Sequence, residues 1–525
     1  LHRLNNFTEK AGNNMNDENF RSGTLVVPIP RINEEQIKTL HNSSLEILSD
    51  PGILCFNEEA VSFFQRGGCS VESSKQDNAW TVKIPGKVVM DAVESSPSRV
   101  VLGAREPANR LILDSQVSRI YFGTGSETNI FLETELADFV AKNNPNISFR
   151  LPVYKERRGT VRRLCDSARL CDTLNNVDFF IRNVNVQDEG ISSSNKDVNV
   201  FFASLLYMTK HVQAGLVDLS SLDDVLRLGE IVADGLYSLQ DNPIISFIAC
   251  LIKSPLQMVE DTTRKVIEIA KRGIPLVISS SPQGGSTAPI QEEGMVALIN
   301  AEVLAGITLT QLVNPGTPVL YGSVPVRARL DTLHDFYGAP EFIHYNTDCV
   351  QMARFYGVPS YSTAGVGDSK VPGIQATVEK LFSQLAVAQS GAQYIHYAFG
   401  LLDRTNVFCP VQAILDDANI SLVRQILRSP VIEKEMAEAS VNEIRKVMSS
   451  STRLFARHIR RQIRRGVVSE PYTLEGKGDQ DEVMQNACAK LEKIRNTAGN
   501  RLSEEIIDKI YMKVPGLLQR ENFEL

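Results

Sequence analysis

Long apolar runs are missing from this 525-residue chain. The longest, Ile244–Ile252, has nine residues around one serine and stops at Lys253. A membrane-spanning helix needs about 20, so a soluble protein is expected. A basic excess is missing too: 55 Lys and Arg face 62 Asp and Glu, for a net charge of −7, which argues against a nucleic-acid surface. The eight cysteines (Cys55, Cys69, Cys165, Cys171, Cys250, Cys349, Cys409, Cys488) are scattered and include no C-x-x-C pair, the pattern of reduced thiols in a cytoplasmic protein. The opening residues, Leu1-His2-Arg3-Leu4-Asn5-Asn6, carry no apolar leader segment, so no signal peptide is expected. Without H-x-x-H, H-E-x-x-H or a Cys/His cluster, no protein-bound metal is expected. No G-x-S-x-G elbow and no phosphate-cradling glycine motif follows the first strand. Disorder is excluded by composition, with 43% hydrophobic and 22% charged residues.

What is present falls into three stretches. Residues 1–115 read as a polar arm and a helix-rich cap. A helix starts at Asn33-Glu34-Glu35 and ends at Pro51-Gly52, a second covers Glu58–Gln65, Trp80–Ile84 is a short strand, and Lys87–Ser95 is a third helix. Residues 116–415 change texture. Eight β-rich runs (Arg119–Gly123, Val177–Asn183, His211–Leu216, Pro243–Cys250, Pro275–Ser280, Pro318–Gly322, Ser360–Ala364, Gln393–Phe399) alternate with helical windows, notably Asp223–Ala233, Met258–Lys271, Glu292–Leu312, Ala339–Phe355 and Ile374–Ser390. That alternation predicts a parallel sheet of βα units, and the count predicts an α/β fold of the (β/α)8 TIM-barrel kind. Residues 416–525 read as a helical region: Ile420–Leu427, Glu433–Ser449, Leu454–Arg465 and Glu482–Gly499. The basic stretch Arg457–Arg465 reads as a solvated or subunit-facing helix side.

In such a barrel the site lies on the loops after the strands. Three segments there are informative: the small-residue turn Ser281–Pro289, the glycine-flanked Ala364–Lys370, and a long Arg- and aromatic-rich loop after Tyr321-Gly322 that contains Arg327, Arg329, His334, Phe336 and Tyr337. Its length exceeds most βα connections, which points to a functional loop. The strand-end acids Glu127, Asp188, Asp368 and Asp403 suit helix caps and ion pairs better than an acid/base couple. Aromatics near strand ends (Phe122, Tyr321, Tyr361, Tyr397, Phe399) suit either barrel packing or a cage that holds a quaternary ammonium by its ring faces.

Taken in chain order, Tyr321-Gly322, Gly338-Ala-Pro-Glu341, Tyr356-Gly-Val-Pro359 and Ala364-Gly-x-x-Asp-Ser-Lys370 resemble the trimethylamine:corrinoid methyltransferase family. Pro51-Gly52-Ile53, Ile84-Pro85, Ser96-Pro97 and Arg158-Gly159-Thr160 fit it as well, and the likeness covers roughly residues 30–430. The resemblance implies a (β/α)8 barrel that moves a methyl group from an amine to the cobalt(I) of a separate corrinoid (cobalamin) protein, in a homo-oligomer such as a trimer or hexamer. It places the pyrrolysine of the trimethylamine enzymes within one residue of Val366, between Gly365 and Asp368. A valine there resembles the branch that acts on quaternary amines such as glycine betaine, proline betaine or carnitine.

The remaining roles follow from that resemblance. Tyr321, Tyr361, Tyr397 and Phe399 would surround the ammonium, and Arg327, Arg329 or His344 would meet a substrate carboxylate. Gln283, Gly284, Gly285 and Ser286 would face the corrinoid. Two other readings stay open: a paralogue that binds a quaternary amine without transferring its methyl group, and a barrel lyase or aldolase with Lys253 or Lys370 as Schiff base.

Overall fold

The computed structural model describes residues 20–74, 78–141, 144–233, 239, 241–430, 432–455, 471–476, 482–497 and 499–525. The basic stretch Arg457–Arg465 lies outside these residues, as does most of the helix expected over Leu454–Arg465.

At the centre is a curled, mostly parallel sheet of nine strands. Eight of them are β1 (Arg119–Phe122), β2 (Phe179–Ile181), β3 (His211–Ala214), β4 (Ile245–Ala249), β5 (Leu276–Ser280), β6 (Val319–Ser323), β7 (Ser360–Thr363) and β8 (Tyr394–His396). From β2 to β8 each pairs in parallel with the next, and β8 pairs in parallel with β1. Thr24–Leu25 adds the ninth strand, antiparallel on β1. The two ends of the parallel run meet: Gly123 bridges Phe179, and the Asp178 N–H donates to the Phe122 carbonyl at 2.7 Å. Asp178 also accepts the Phe122 N–H on its carboxylate at 2.8 Å.

A helix follows every strand: α1 (Val161–Thr173), α2 (Ser193–Tyr207), α3 (Leu222–Val232), α4 (Glu260–Lys271), α5 (Glu292–Val313), α6 (Pro340–Tyr356), α7 (Ile374–Gln389) and α8 (Pro410–Leu427). Local chemistry sets their ends. Thr160 caps α1 with its side chain, and α6 begins on Pro340 and ends at Gly357 in the left-handed conformation. Between β1 and α1 stands a hairpin that the sequence pattern did not announce, Ile130–Ala141 against Asn144–Arg158.

Strand alternation divides the apolar side chains into two cores. Phe180, Val212, Phe247, Ile278, Val319, Tyr321 and Ile395 face the helices, whereas Tyr121, Phe179, Ile181, Val277, Leu320, Tyr361 and Tyr394 face the inside of the curl. Each fully buried side chain of this size contributes about 1.5–3 kcal/mol. A second hairpin, Arg99–Leu102 with Leu111–Asp114, adds Val100, Leu102, Leu111 and Leu113 to the inner core. It sits under the strands' amino ends, where Gly103 donates to Pro243 O and Glu106 to Thr209 O, both at 3.0 Å. One end of the curl is thus plugged.

Helix α5 has the length and hydropathy of a membrane span yet is buried in the core. It lies between the sheet and the front helices Glu34–Ser49, Glu58–Arg66 and Gly86–Ser95. Asn300, Glu302, Thr308 and Gln311 break its apolar run. Each is bonded in place, Glu302 to Ser254 and Leu256, Asn300 to Tyr321 and Tyr356.

Candidate functional site

The carboxyl end of the curl is the open one. Register sends Gly125, Gln213, Gly215, Ile248, Cys250, Ser279, Thr363 and His396 toward it, and Arg182, just past the end of β2, brings its guanidinium over Gly215. Ile248 is half-buried and Cys250 exposed, while their outward neighbours Phe247 and Ala249 are buried, so the space between the strand ends is accessible. Cys250 Sγ lies 2.9 Å from Ser279 Oγ. A Cβ at Gly215 would meet nothing nearer than Ile248 O at 3.6 Å and Arg182 Nη2 at 3.9 Å. Gly125 is packed instead: a Cβ there would lie 2.4 Å from the Tyr397 ring and 3.1 Å from His396 Nδ1.

An aromatic wall stands on the β7–β8 side. Tyr361 lies 4.3 Å from the His396 ring and 5.6 Å from Tyr394, and His396 lies 3.8 Å from Tyr397. Tyr397 adopts a φ of 69°, a conformation that costs a non-glycine residue roughly 1–3 kcal/mol and recurs at functional sites. Above this wall Val366 is buried with Val326, Tyr337, Phe342 and Leu401, and Tyr397 packs against both groups.

Three loops form the lid over this end. Gln283–Gly284 pairs in parallel with Val326–Ala328, which pairs with Asp335–Phe336. Gln283 Nε2 donates to Asp335 Oδ1 at 2.7 Å. The Asp368 carboxylate accepts the N–H groups of Tyr337 and Gly338 at 3.1 and 2.8 Å, so it anchors the long sixth loop. Burial raises the pKa of Asp368, and those two hydrogen bonds oppose the rise. Gly365, at a φ of +86°, leaves room for Ala398. Gly285 and Ser286 are exposed at the rim.

The structure brings together only part of the expected set. Tyr361 and Tyr397 line the interior. Tyr321 is one register position out and turns to the helices, where its hydroxyl donates to Asn300 at 2.9 Å. Phe399 is buried in the outer core. Arg327 and Arg329 lie over the Phe336 ring, with Glu341 and Asp331 at 3.7 and 3.6 Å. His344 sits on the outer face of α6, 2.7 Å from Glu292, beside the ion pairs of Arg31 with Glu292 and Asp348.

Polar groups that the sequence reading passed over occupy the interior. His211 Nδ1 bonds the Gly103 carbonyl at 2.9 Å, and Nε2 bonds Ser246 Oγ at 2.7 Å. A carbonyl only accepts, so Nδ1 carries the proton and Ser246 donates to Nε2. Gln213 must then offer its amide nitrogen to Ser246, at 2.9 Å, which leaves its buried carbonyl oxygen without a partner among the described residues. The Thr363 hydroxyl donates to Ser323 O at 3.1 Å and lies 2.6 Å from His396 Nε2. His396 therefore donates through Nε2 and keeps a buried Nδ1 with no partner among the described residues. Burial holds His396 well below the ordinary imidazole range, so the ring is neutral. On the β2 side Arg182 Nη2 donates to Glu127 at 2.7 Å, and Lys196 reaches the same carboxylate at 2.5 Å. A lone Arg closing an otherwise apolar strand run was the available signal for Arg182.

Residues 6–465 match the family described as trimethylamine methyltransferase (MTTB). The chain is 31% identical over 394 residues to a trimethylamine methyltransferase MttB of Desulfitobacterium hafniense (strain DSM 10664 / DCB-2), covering 75% of this chain and 74% of that one. It is 27% identical over 418 residues to a trimethylamine methyltransferase MttB of Methanosarcina thermophila, covering 78% and 80%. To a glycine betaine methyltransferase of Desulfitobacterium hafniense (strain Y51) it is 25% identical over 444 residues, covering 84% and 86%. By the extent of these matches, the chain belongs to the trimethylamine methyltransferase (MTTB) family.

Proposed function

We propose that this protein transfers a methyl group from a quaternary amine, glycine betaine or a close relative, to the cobalt(I) of a corrinoid carried by a separate cognate protein. The reaction would take place in the open end of a closed (β/α)8 barrel. The observation that carries this reading is the interior wall of Tyr361, His396 and Tyr397 beneath a buried Val366. Ring faces attract a cation without needing its protons. A neutral His396 adds a lone pair rather than a repelling charge.

The chemistry asks little acid/base work of the chain. As the methyl C–N bond breaks, nitrogen keeps the electron pair and leaves as a neutral tertiary amine, so no proton has to be delivered. The residues of the mouth orient the reacting methyl group and exclude water. The corrinoid, when docked, supplies the nucleophile and accepts the methyl group. The rim residues Gly285 and Ser286 are small and exposed, which suits the approach of a broad, flat ring. Val366, buried beside the mouth, carries only methyl groups and has nothing with which to activate a tertiary amine.

A lyase or aldolase is less well supported. Lys253 and Lys370 are exposed, whereas an imine-forming lysine is usually desolvated. A binding-only paralogue remains the competing reading. The deciding experiment gives purified protein reduced cobalamin with glycine betaine, proline betaine, carnitine, choline or trimethylamine. Formation of the demethylated product is followed by NMR and the corrinoid by its visible spectrum. A quaternary amine is expected to be demethylated and trimethylamine left intact. Turnover of trimethylamine would remove the argument from Val366, and no transfer from any of them would favour the binding-only protein.

A further inference from the structure

The open end is chemically two-sided. On the β7–β8 side the groups are ring faces and acceptors, Tyr361, Tyr397 and the bare Nδ1 of His396, all suited to a cation. On the β2 side stands Arg182, its side chain only 9% exposed. Nη2 is committed to Glu127, but Nη1 is buried with no hydrogen-bond partner among the described residues. A buried guanidinium that leaves a donor unpaired costs free energy unless something binds there.

Charge points the same way. Arg182 and Lys196 share the single carboxylate of Glu127, so this trio carries a net positive charge of one. The Arg182 head lies over Gly215, where a Cβ would meet no described side chain other than Arg182 itself within 4 Å. The two walls adjoin through one loop: Gly125 touches Tyr397 and His396, and Glu127, two residues on, holds Arg182.

We infer that Arg182 is the carboxylate receptor of the site, so that its amine is a zwitterion with an anionic group a short spacer away from the ammonium. This rests on the quaternary-amine reading above and deepens it. It moves the anion contact inward from Arg327, Arg329 and His344, whose side chains already face Glu341, Asp331 and Glu292 on the lid and outer surface. Glu127 keeps Lys196 when Arg182 is replaced, so the loop retains an ion pair.

The test measures binding of glycine betaine and of choline, which share a trimethylammonium head, to the wild type, Arg182→Met and Arg182→Lys by calorimetry, with melting curves to verify folding. The wild type is expected to prefer glycine betaine. Arg182→Met should weaken glycine betaine by about tenfold or more and leave choline unchanged, and Arg182→Lys should fall between. Equal losses for both ligands, an unchanged glycine betaine affinity, or no preference in the wild type would overturn the assignment. Methyl transfer is assayed in parallel. If it fails while the binding pattern holds, the reaction proposed above falls and the receptor role of Arg182 stands.

Discussion

Lys380 and Asp416 form an ion pair sealed from solvent, with Nζ and Oδ2 3.2 Å apart and both side chains 0% exposed. Lys380 also donates to the carbonyls of Gly365 and Leu401. Asp416 accepts the Gly400 N–H at 2.7 Å. The pair therefore ties the loop that carries Val366 to the loop after β8. Burial pulls the lysine's pKa down and pushes the carboxyl's up, each resisted by the partner's charge.

A buried ion pair is commonly no more stabilising than an apolar pair of similar volume, but removing one partner strands a charge. Lys380→Met is expected to cost about 3–5 kcal/mol in urea unfolding. The double variant Lys380→Met/Asp416→Leu should recover much of that stability and still bind substrate poorly, because Gly365 and Gly400 have lost their anchors. Wild-type affinity in a well-folded double variant would show that the pair positions nothing.

Gly125 offers a steric test of the same mouth. An added methyl group would lie 2.4 Å from the Tyr397 ring, closer than carbon atoms can pack. Gly125→Ala should displace Tyr397, weaken quaternary-amine binding, and cost about 1–3 kcal/mol of stability as an overpacked position does. Unaltered affinity would place the ligand away from Tyr397.

The four aromatics named from sequence should separate into two pairs. Tyr361→Ala and Tyr397→Ala are expected to weaken ammonium binding by about 0.5–2 kcal/mol. Tyr321 and Phe399, packed in the outer core, should instead lower stability by about 3–5 kcal/mol on truncation to alanine, with binding unaffected wherever the variant folds. Titration and unfolding of all four variants check this division.

That division also shows what the sequence could and could not reveal. Strand positions were legible because β-branched runs and turn residues punctuate them, and all eight parallel strands lie within or beside the expected windows. The inward face of each strand was harder to read. With both faces buried, Tyr321 and Leu320 look equally apolar, and a shift of one position exchanges wall for ligand site. Arg182, Gln213 and His396 went unnoticed because their value lies in an unpaired atom, which depends on neighbours far away in the chain. His344 attracted attention by its residue type, yet it sits on the side of α6 that faces Glu292. The hairpin Ile130–Arg158 escaped because its strands carry polar residues on both faces, with little of the alternation that marks a half-buried strand.

His211 gives the last expectation, a pH dependence of stability. It opens β3 with both ring nitrogens bonded, and burial lowers its pKa from 6.5 to about 4. The unfolded chain therefore binds a proton between pH 6.5 and pH 4 that the fold refuses. Where the unfolded state holds more protons, stability increases with pH. The contribution of His211 is thus complete above pH 6.5 and declines below it by about 1.4 kcal/mol per unit, or about 2 kcal/mol by pH 5. His396, also depressed by burial, acts in the same direction. Urea unfolding of the wild type and His211→Asn from pH 7.5 to 5 checks this. The variant should be less stable at pH 7.5, having lost hydrogen bonds, and should decline less steeply toward pH 5. Parallel declines in the two proteins would mean that His211 accepts its proton inside the fold.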